Sequence, residues 1–188
     1  MKLLFIICSI LSAFFTNLEN KTLQSDYVVT VDEGQKGMAH YPGSITMHGR
    51  QFLLSMSGTT SAFDGKTMYS YSEETEELTL TEPTEEELIE AIPLLFAKAV
   101  ADVCTVTEKT NKDGTQTTIT LVPEDSKDVG VDRFILKVRN SDLMPQQIEV
   151  REGQRTTILK LNNPKFVSKT PEFTIEPEET TFVNDLRF

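Results

Sequence analysis

Few residues of this 188-residue chain could perform acid–base, nucleophilic or metal chemistry. The sequence has two His, two Cys and no Trp, and it contains none of the common nucleophile, zinc-protease, phosphate-loop, dinucleotide or paired-cysteine motifs. His40 and His48 stand eight residues apart, with no further imidazole to complete a zinc site. The sequence therefore predicts no metal site and no cofactor.

Cys104 and the glutamate clusters are the remaining candidates for catalysis. Cys104 lies in the alternating stretch 103–107, which favours a small buried thiol on a strand over a nucleophile. The glutamates at 73–77 fit a solvated turn, and those at 85–87 fit the start of a helix, where the dipole favours negative charge. A carboxylate pair acting on sugars would need a binding cleft with an aromatic floor, and aromatic residues make up only 8% of the chain. A hydrolase that uses Cys104 or such a pair stays open as an alternative, but we predict no enzyme.

The charge balance limits the class of partner. Lys and Arg total 18 against 29 Asp and Glu, which gives a net charge of −11. A field of this sign repels phosphate backbones, so the sequence predicts no nucleic-acid partner.

The N-terminal segment has the pattern of an export signal. Lys2 is followed by an uncharged, mostly apolar run from Leu3 to Phe15. As a helix the run would span about 20 Å, less than the ~30 Å hydrocarbon core of a bilayer. We therefore predict a signal peptide over residues 1–15, with its cleavage position open, and one domain over residues 17–188. Cys104 is then the one cysteine left, so no internal disulfide can form.

The rest of the chain predicts a mainly β fold. Period-2 alternation between turn signals indicates about eleven strands, most of them joined by short turns, as at Gly49-Arg50 and Asp64-Gly65. Short turns make neighbouring strands antiparallel, and a meander of that many strands must curl, close or split. Residues 84–102 predict a helical segment, with a capping box at Thr84 and Glu87 and a break at Pro93.

Apolar side chains recur on single faces of several predicted strands and on this helical segment. Phe52, Leu54 and Met56 share one strand face, and Phe134 shares another with Leu136. These residues could simply form the core under the helix. They could equally line a hollow in a curled sheet, and the periodicity alone favours neither interpretation.

Several short stretches resemble LolA-type outer-membrane lipoprotein carrier proteins. Residues 63–71 resemble the Asp-Gly-Lys-Thr hairpin of that family, and residues 43–52 resemble its early Gly-Thr-Ile hairpin. Residues 78–95, 121–123, 145–148, 156–158 and 173–187 are similar in order and spacing to a divergent branch of these carriers. The resemblance covers roughly residues 27–188, and the order of the set carries it more than any single motif.

This resemblance implies an unclosed antiparallel β-barrel of about eleven strands with a short helical lid. It implies a monomeric periplasmic carrier, a chaperone that shelters the acyl chains of lipoproteins on their way to the outer membrane. The implied partners are acylated lipoproteins, an inner-membrane lipoprotein-releasing transporter and an outer-membrane acceptor. A periplasmic module that senses lipid or lipoprotein on the same fold is the alternative. We expect the acyl chains to contact these lining and lid residues: Phe52, Leu54, Met56, Phe63, Leu88, Ile92, Leu95, Phe96, Phe134 and Leu136.

Overall fold

The computed structural model describes residues 9–34, 37–85, 87–88, 92–124, 130–168 and 171–187. In this part of the chain the structure bounds the helices α1 (Ser9–Asn20) and α2 (Pro93–Val100), with a 3₁₀ turn at Ala101–Val103, and residues 85 and 87–88 are also helical. The strands are β1 (Thr22–Asp32), β2 (Met38–His48), β3 (Gln51–Met56), β4 (Thr59–Phe63), β5 (Met68–Ser72), β6 (Glu77–Thr81), β7 (Cys104–Thr110), β8 (Gln116–Pro123), β9 (Arg133–Arg139), β10 (Met144–Glu152), β11 (Arg155–Val167) and β12 (Phe182–Asp185).

The described strands form one twelve-stranded sheet that does not close on itself. Its order is β12-β6-β5-β4-β3-β2-β1-β11-β10-β9-β8-β7, so β12 and β7 are its two edges. Two meanders, β1–β6 and β7–β11, meet where the long strands β1 and β11 pair antiparallel. The predicted mainly β, unclosed barrel-like fold with a helical lid is therefore confirmed.

The main departure from a meander is at the β12 edge. β12 runs parallel to β6, with Phe182 opposite Glu77 and Asp185 opposite Leu80. A parallel pair needs a long connection, because the chain must return to the same end of the sheet before it pairs. The described residues 171–181 lie on that return between β11 and β12, and sequence alternation alone did not indicate its direction.

The predicted helical segment after β6 has the expected capping box. The Thr84 backbone N–H donates to Glu87 Oε2 over 2.7 Å, and the Glu87 N–H donates to Thr84 Oγ1 over 3.3 Å. Pro93 occupies the first turn of α2, where its missing N–H leaves no helical bond unmade. The break predicted at Pro93 is therefore where α2 begins.

Helix α1 was not expected from the sequence. It begins at Ser9, inside the segment predicted as a signal peptide, and continues to Asn20. Leu11, Phe14 and Leu18 lie on one side of it and are buried, whereas Ser12 and Thr16 are exposed. Residues 1–8 lie outside the described part of the chain. Removal of residues 1–15 stays a prediction, and it would take Leu11 and Phe14 out of the core.

Candidate functional site

One face of the sheet carries two cross-strand rows of apolar side chains, and we call it the inner face. In the second meander and β1, the cross-strand partners Ile119, Leu136, Ile148, Leu159 and Val29 follow one another across five strands. In the first meander a second row, which starts on β1 six residues before Val29, passes through Leu23, Met47, Phe52, Phe63 and Met68. Because paired residues project to the same side of a sheet, these rows make one apolar surface that runs across both halves.

The predicted strand residues all belong to this inner face. Phe52, Phe63, Phe134 and Leu136 are buried in the main hydrophobic cluster. The Phe52 and Phe63 rings contact each other in a tilted arrangement, with centroids 6.1 Å apart. The structure places the predicted residues of β3 and β9 on one surface. Contact between these residues and acyl chains stays a prediction.

The helices cover this surface from the inside of the curl. Leu88, Ile92 and Leu95 are buried in the same cluster as the strand residues, as expected for a lid. Phe96 lies within α2, and its side chain is outside the described part of the structure. The described lid residues therefore pack over the inner face, an arrangement we call the closed state.

Helix α1 is a second cover that the sequence analysis missed. Phe14 is 0% exposed, and Leu11 and Leu18 are buried beside it in the cluster. Their 3-4 spacing is an amphipathic signal that was hidden because Leu11 and Phe14 lie within the apolar run that predicts a signal peptide. The Glu108 carboxylate of β7 accepts hydrogen bonds from the Ile10 and Leu11 N–H groups, at 3.2 and 3.0 Å. This acid at the helix N-terminus holds α1 against the far edge of the sheet.

Two exposed ion pairs join the covers to each other and to the sheet. Lys98 of α2 pairs with Glu19 of α1. Arg50, in the β2–β3 turn, pairs with Glu85 at the start of the helical segment. Each of these side chains is roughly half exposed or more, so each pair contributes only about 0.2–1 kcal/mol. We call them the lid latches.

At one end the inner face is not covered. A pocket of about 320 Å³ is lined by Tyr41, Leu54, Met56, Ser57, Thr59 and Ser61. Met56 is 36% exposed, and Leu54 is half-buried and packs against the main cluster. Leu54 and Met56 share the strand face of the buried Phe52, so the pocket continues the inner face outward. We call it the rim pocket.

Tyr27 is buried in the main hydrophobic cluster and contacts the backbone of β3 next to the rim-pocket residues. Its hydroxyl donates to the Ser55 carbonyl oxygen at 3.3 Å, and burial raises the pKa of Tyr27 to about 12. Gly43 faces this ring across the β1–β2 ladder, and a Cβ at Gly43 would overlap the ring and the Ser55 carbonyl. A glycine here therefore lets a buried tyrosine lie flat across the sheet.

The residues that could act in catalysis or bind a metal do not converge on the inner face. Cys104 is half-buried, and its pKa is raised by burial and by the nearby Glu124, which disfavours the thiolate. His48 contacts Thr22 Oγ1 and His40 contacts Thr30 Oγ1, so each ring has an ordinary polar partner. Among the described residues no three His, Cys, Asp or Glu side chains are placed to hold a metal. What the inner face offers is apolar area.

In the described part of the chain, neither helix has the length and apolar character needed to span a bilayer.

Comparison with known proteins gives one family match and several structural ones. A sequence model of the family described as outer membrane lipoprotein carrier protein LolA matches residues 30–154. No curated protein matches the chain. An uncharacterized conserved protein from Thermus thermophilus has a TM-score of 0.62 at 11% identity, over 97% of this chain and 99% of that one. A LolA superfamily protein from Nitrosomonas europaea has a TM-score of 0.46 at 11% identity, over 89% of this chain and 97% of that one.

Proposed function

Because the chain belongs to the LolA family of outer membrane lipoprotein carrier proteins, whose model matches two thirds of it, we propose that it carries lipoproteins by sheltering their acyl chains. The observation that supports this most directly is the inner face, an apolar surface that spans both meanders and stays open at the rim pocket. The inner face joins both meanders, and its open end at the rim pocket is apolar on the Leu54 and Met56 side.

Binding is an exchange of one apolar cover for another. In the closed state Leu88, Ile92 and Leu95 occupy the inner face, so an acyl chain can enter only as the lid lifts. Each methylene moved out of water contributes about 0.8 kcal/mol, and the lid side chains lose a comparable contribution as they lift. The net affinity is the small difference, which allows the cargo to be released.

The rim pocket is the proposed point of entry. It is apolar on the Leu54 and Met56 side, is open to solvent, and lies on the same strand face as the buried Phe52. An acyl chain that first contacts this pocket can slide along β3 toward the core as the lid opens. The predicted binding residues of β3 thus mark a path from the rim to the core.

The location and partners of the carrier follow from the proposed cargo. Lipoproteins travel between two membranes, so we propose a periplasmic protein that receives them from an inner-membrane releasing transporter and delivers them to an outer-membrane acceptor. Export would depend on the N-terminal apolar segment. Residues 9–15 also belong to α1, so cleavage after residue 15 would remove the buried Leu11 and Phe14 from the core.

The proposed entry is tested at two exposed methionines, one that lines the rim pocket and one that does not. Met56→Glu places a carboxylate in the rim pocket, and Met38→Glu places one on β2, outside the residues that line the pocket. We expect Met56→Glu to weaken binding of a fluorescent tripalmitoylated cysteinyl peptide at least about tenfold, because a buried charge opposes an acyl chain by more than about 1.4 kcal/mol. Met38→Glu should bind as the wild type does.

Both side chains are exposed, at 36% and 67%, so neither variant should unfold the protein. A charge at Leu136, which is 0% exposed, would test the stability of the core instead. Equal binding by the Met56→Glu variant and the wild type would contradict the proposed entry. If the loaded protein binds the lipopeptide but does not pass it to acceptor vesicles, the sensing module becomes the better description.

A further inference from the structure

The two edges of the sheet differ in how they are protected. β7 carries Glu108 and Lys109, a charged pair of the kind that discourages pairing with other strands, and α1 begins against Glu108. β12 carries no lysine and no proline. Of the eight large hydrophobic side chains exposed in the described residues, three lie within residues 182–186: Phe182, Val183 and Leu186.

The backbone of β12 is open on its outer side. The Phe182 N–H donates to the Glu76 carbonyl and the Leu186 N–H to the Leu80 carbonyl, at 2.9 and 2.8 Å. Alternate residues of a strand point their N–H and C=O groups to the same side, so Val183 and Asp185 direct theirs away from β6. An exposed apolar strand with outward-facing backbone groups is a template for another strand.

We call residues 182–186 the strip, and a cleft extends from it toward the lid. It has a volume of about 660 Å³ and is lined by Met68, Thr81, Glu82, Pro83, Thr84, Glu87 and Leu186. Leu186, Met68 and Pro83 give it apolar walls, and two carboxylates stand beside them. The same Thr84 and Glu87 form the capping box that starts the helical segment of the lid.

The strip is surrounded by negative charge, which favours a basic partner. Residues 171–187 contain five carboxylates and one base, Arg187, whose guanidinium is held by Asp185. The neighbouring β5–β6 turn adds the exposed Glu73, Glu74 and Glu76. A second copy of this chain would bring the same negative edge, and the two would repel each other.

We propose that the β12 edge docks an extended, basic segment of a partner protein, which pairs with β12 and places an apolar side chain in the adjoining cleft. The main-chain bonds to Val183 and Asp185 supply register, and the surrounding carboxylates supply selectivity for Lys and Arg. β12 itself lies outside the inner face, which the cleft touches only at Met68, and the proposal does not depend on acyl binding. The cleft's contact with the start of the lid would let a bound partner influence opening.

The experiment titrates isotope-labelled full-length protein with an alternating Lys-Val octapeptide and with the matched Glu-Val octapeptide. We expect the Lys-Val peptide to shift the amide resonances of residues 182–186, and the Glu-Val peptide to leave them unchanged. Val183→Lys should weaken Lys-Val binding at least about tenfold, a loss of about 1.4 kcal/mol. Val122→Lys, at a similarly exposed valine on β8, should leave that binding unchanged.

Thermal unfolding of the two lysine variants checks that both stay folded, and lipopeptide binding by Val183→Lys should equal that of the wild type. Equal binding of both octapeptides, unshifted resonances at 182–186, or full affinity of the Val183→Lys variant would each overturn the proposal. A sedimentation experiment that shows dimers broken by Val183→Lys would also overturn it, in favour of a second copy as the occupant.

Discussion

At the scale of single residues, Asp64 shapes the turn between β4 and β5. Its Oδ1 accepts the Lys66 and Thr67 N–H groups, each at 2.8 Å, and its Oδ2 accepts the Tyr69 hydroxyl at 3.1 Å. Burial raises the pKa of Asp64, but the Thr67 and Lys66 N–H groups and the Tyr69 hydroxyl together hold it below its usual value. Asp64 therefore contributes to stability in its charged form.

We expect this contribution to be fully present above pH 3.8, the ordinary pKa of an aspartate, and to be lost as the pH falls through the lower folded pKa. A titration of the Asp64 carboxyl carbon by NMR measures that midpoint. Tyr69→Phe removes one donor and should move the midpoint upward. A midpoint above 3.8 in the wild type would contradict the turn geometry.

At the scale of elements, helix α1 is a packed helix that overlaps the segment predicted as a signal peptide. An apolar run with a positive start is typical of a signal peptide, and the same residues from Ser9 onward form a packed helix. The amphipathic spacing of Leu11, Phe14 and Leu18 matters only when a partner surface exists to cover them. That surface is the inner face, and Glu108 fixes where the helix begins.

Neighbouring phenylalanines in α1 test this packing. Phe14→Ala should lower the free energy of unfolding by about 3–5 kcal/mol, because a large side chain leaves a cavity in the core. Phe15→Ala should lower it by clearly less, since Phe15 is only partly buried. Urea denaturation of the full chain measures both. Equal losses would contradict the orientation of α1 against the sheet.

At the scale of the whole molecule, the lid latches join elements that would have to separate for the proposed loading of cargo. Lys98–Glu19 connects the two covers, and Arg50–Glu85 connects the lid to the β2–β3 turn. Both pairs are exposed, so salt screens them and each contributes little. A weak latch suits a carrier that has to open and close as it takes up and releases cargo.

Removing both latches should tighten binding of the lipopeptide. In the double variant Arg50→Ala and Lys98→Ala, we expect an affinity up to about thirtyfold higher, since the closed state loses about 0.4–2 kcal/mol. Fluorescence titration at low and high salt measures this, and the wild type should approach the variant at high salt. Arg155→Ala removes an exposed pair with Glu152 in the β10–β11 turn and should change nothing. Weaker binding by the double variant would show that the latches do not oppose loading.

The sequence by itself determined the features that depend on neighbouring residues. Alternation and turn residues indicated the strands and the antiparallel hairpins, and Thr84, Glu87 and Pro93 indicated the capped and broken lid. These signals are local, because a hairpin or a helix cap satisfies its hydrogen bonds within a few residues. The sequence also predicted that Phe52, Leu54 and Met56 share a strand face, because side chains alternate along a strand.

Only the tertiary structure decided which distant segments meet. The pairing of β1 with β11, the parallel return of β12 and the burial of α1 each join residues far apart in the chain. Such contacts form only when they offset the entropy of closing long loops, so the local pattern does not encode them. The apolar surface, the helices that cover it and the open β12 edge therefore form only when the chain folds.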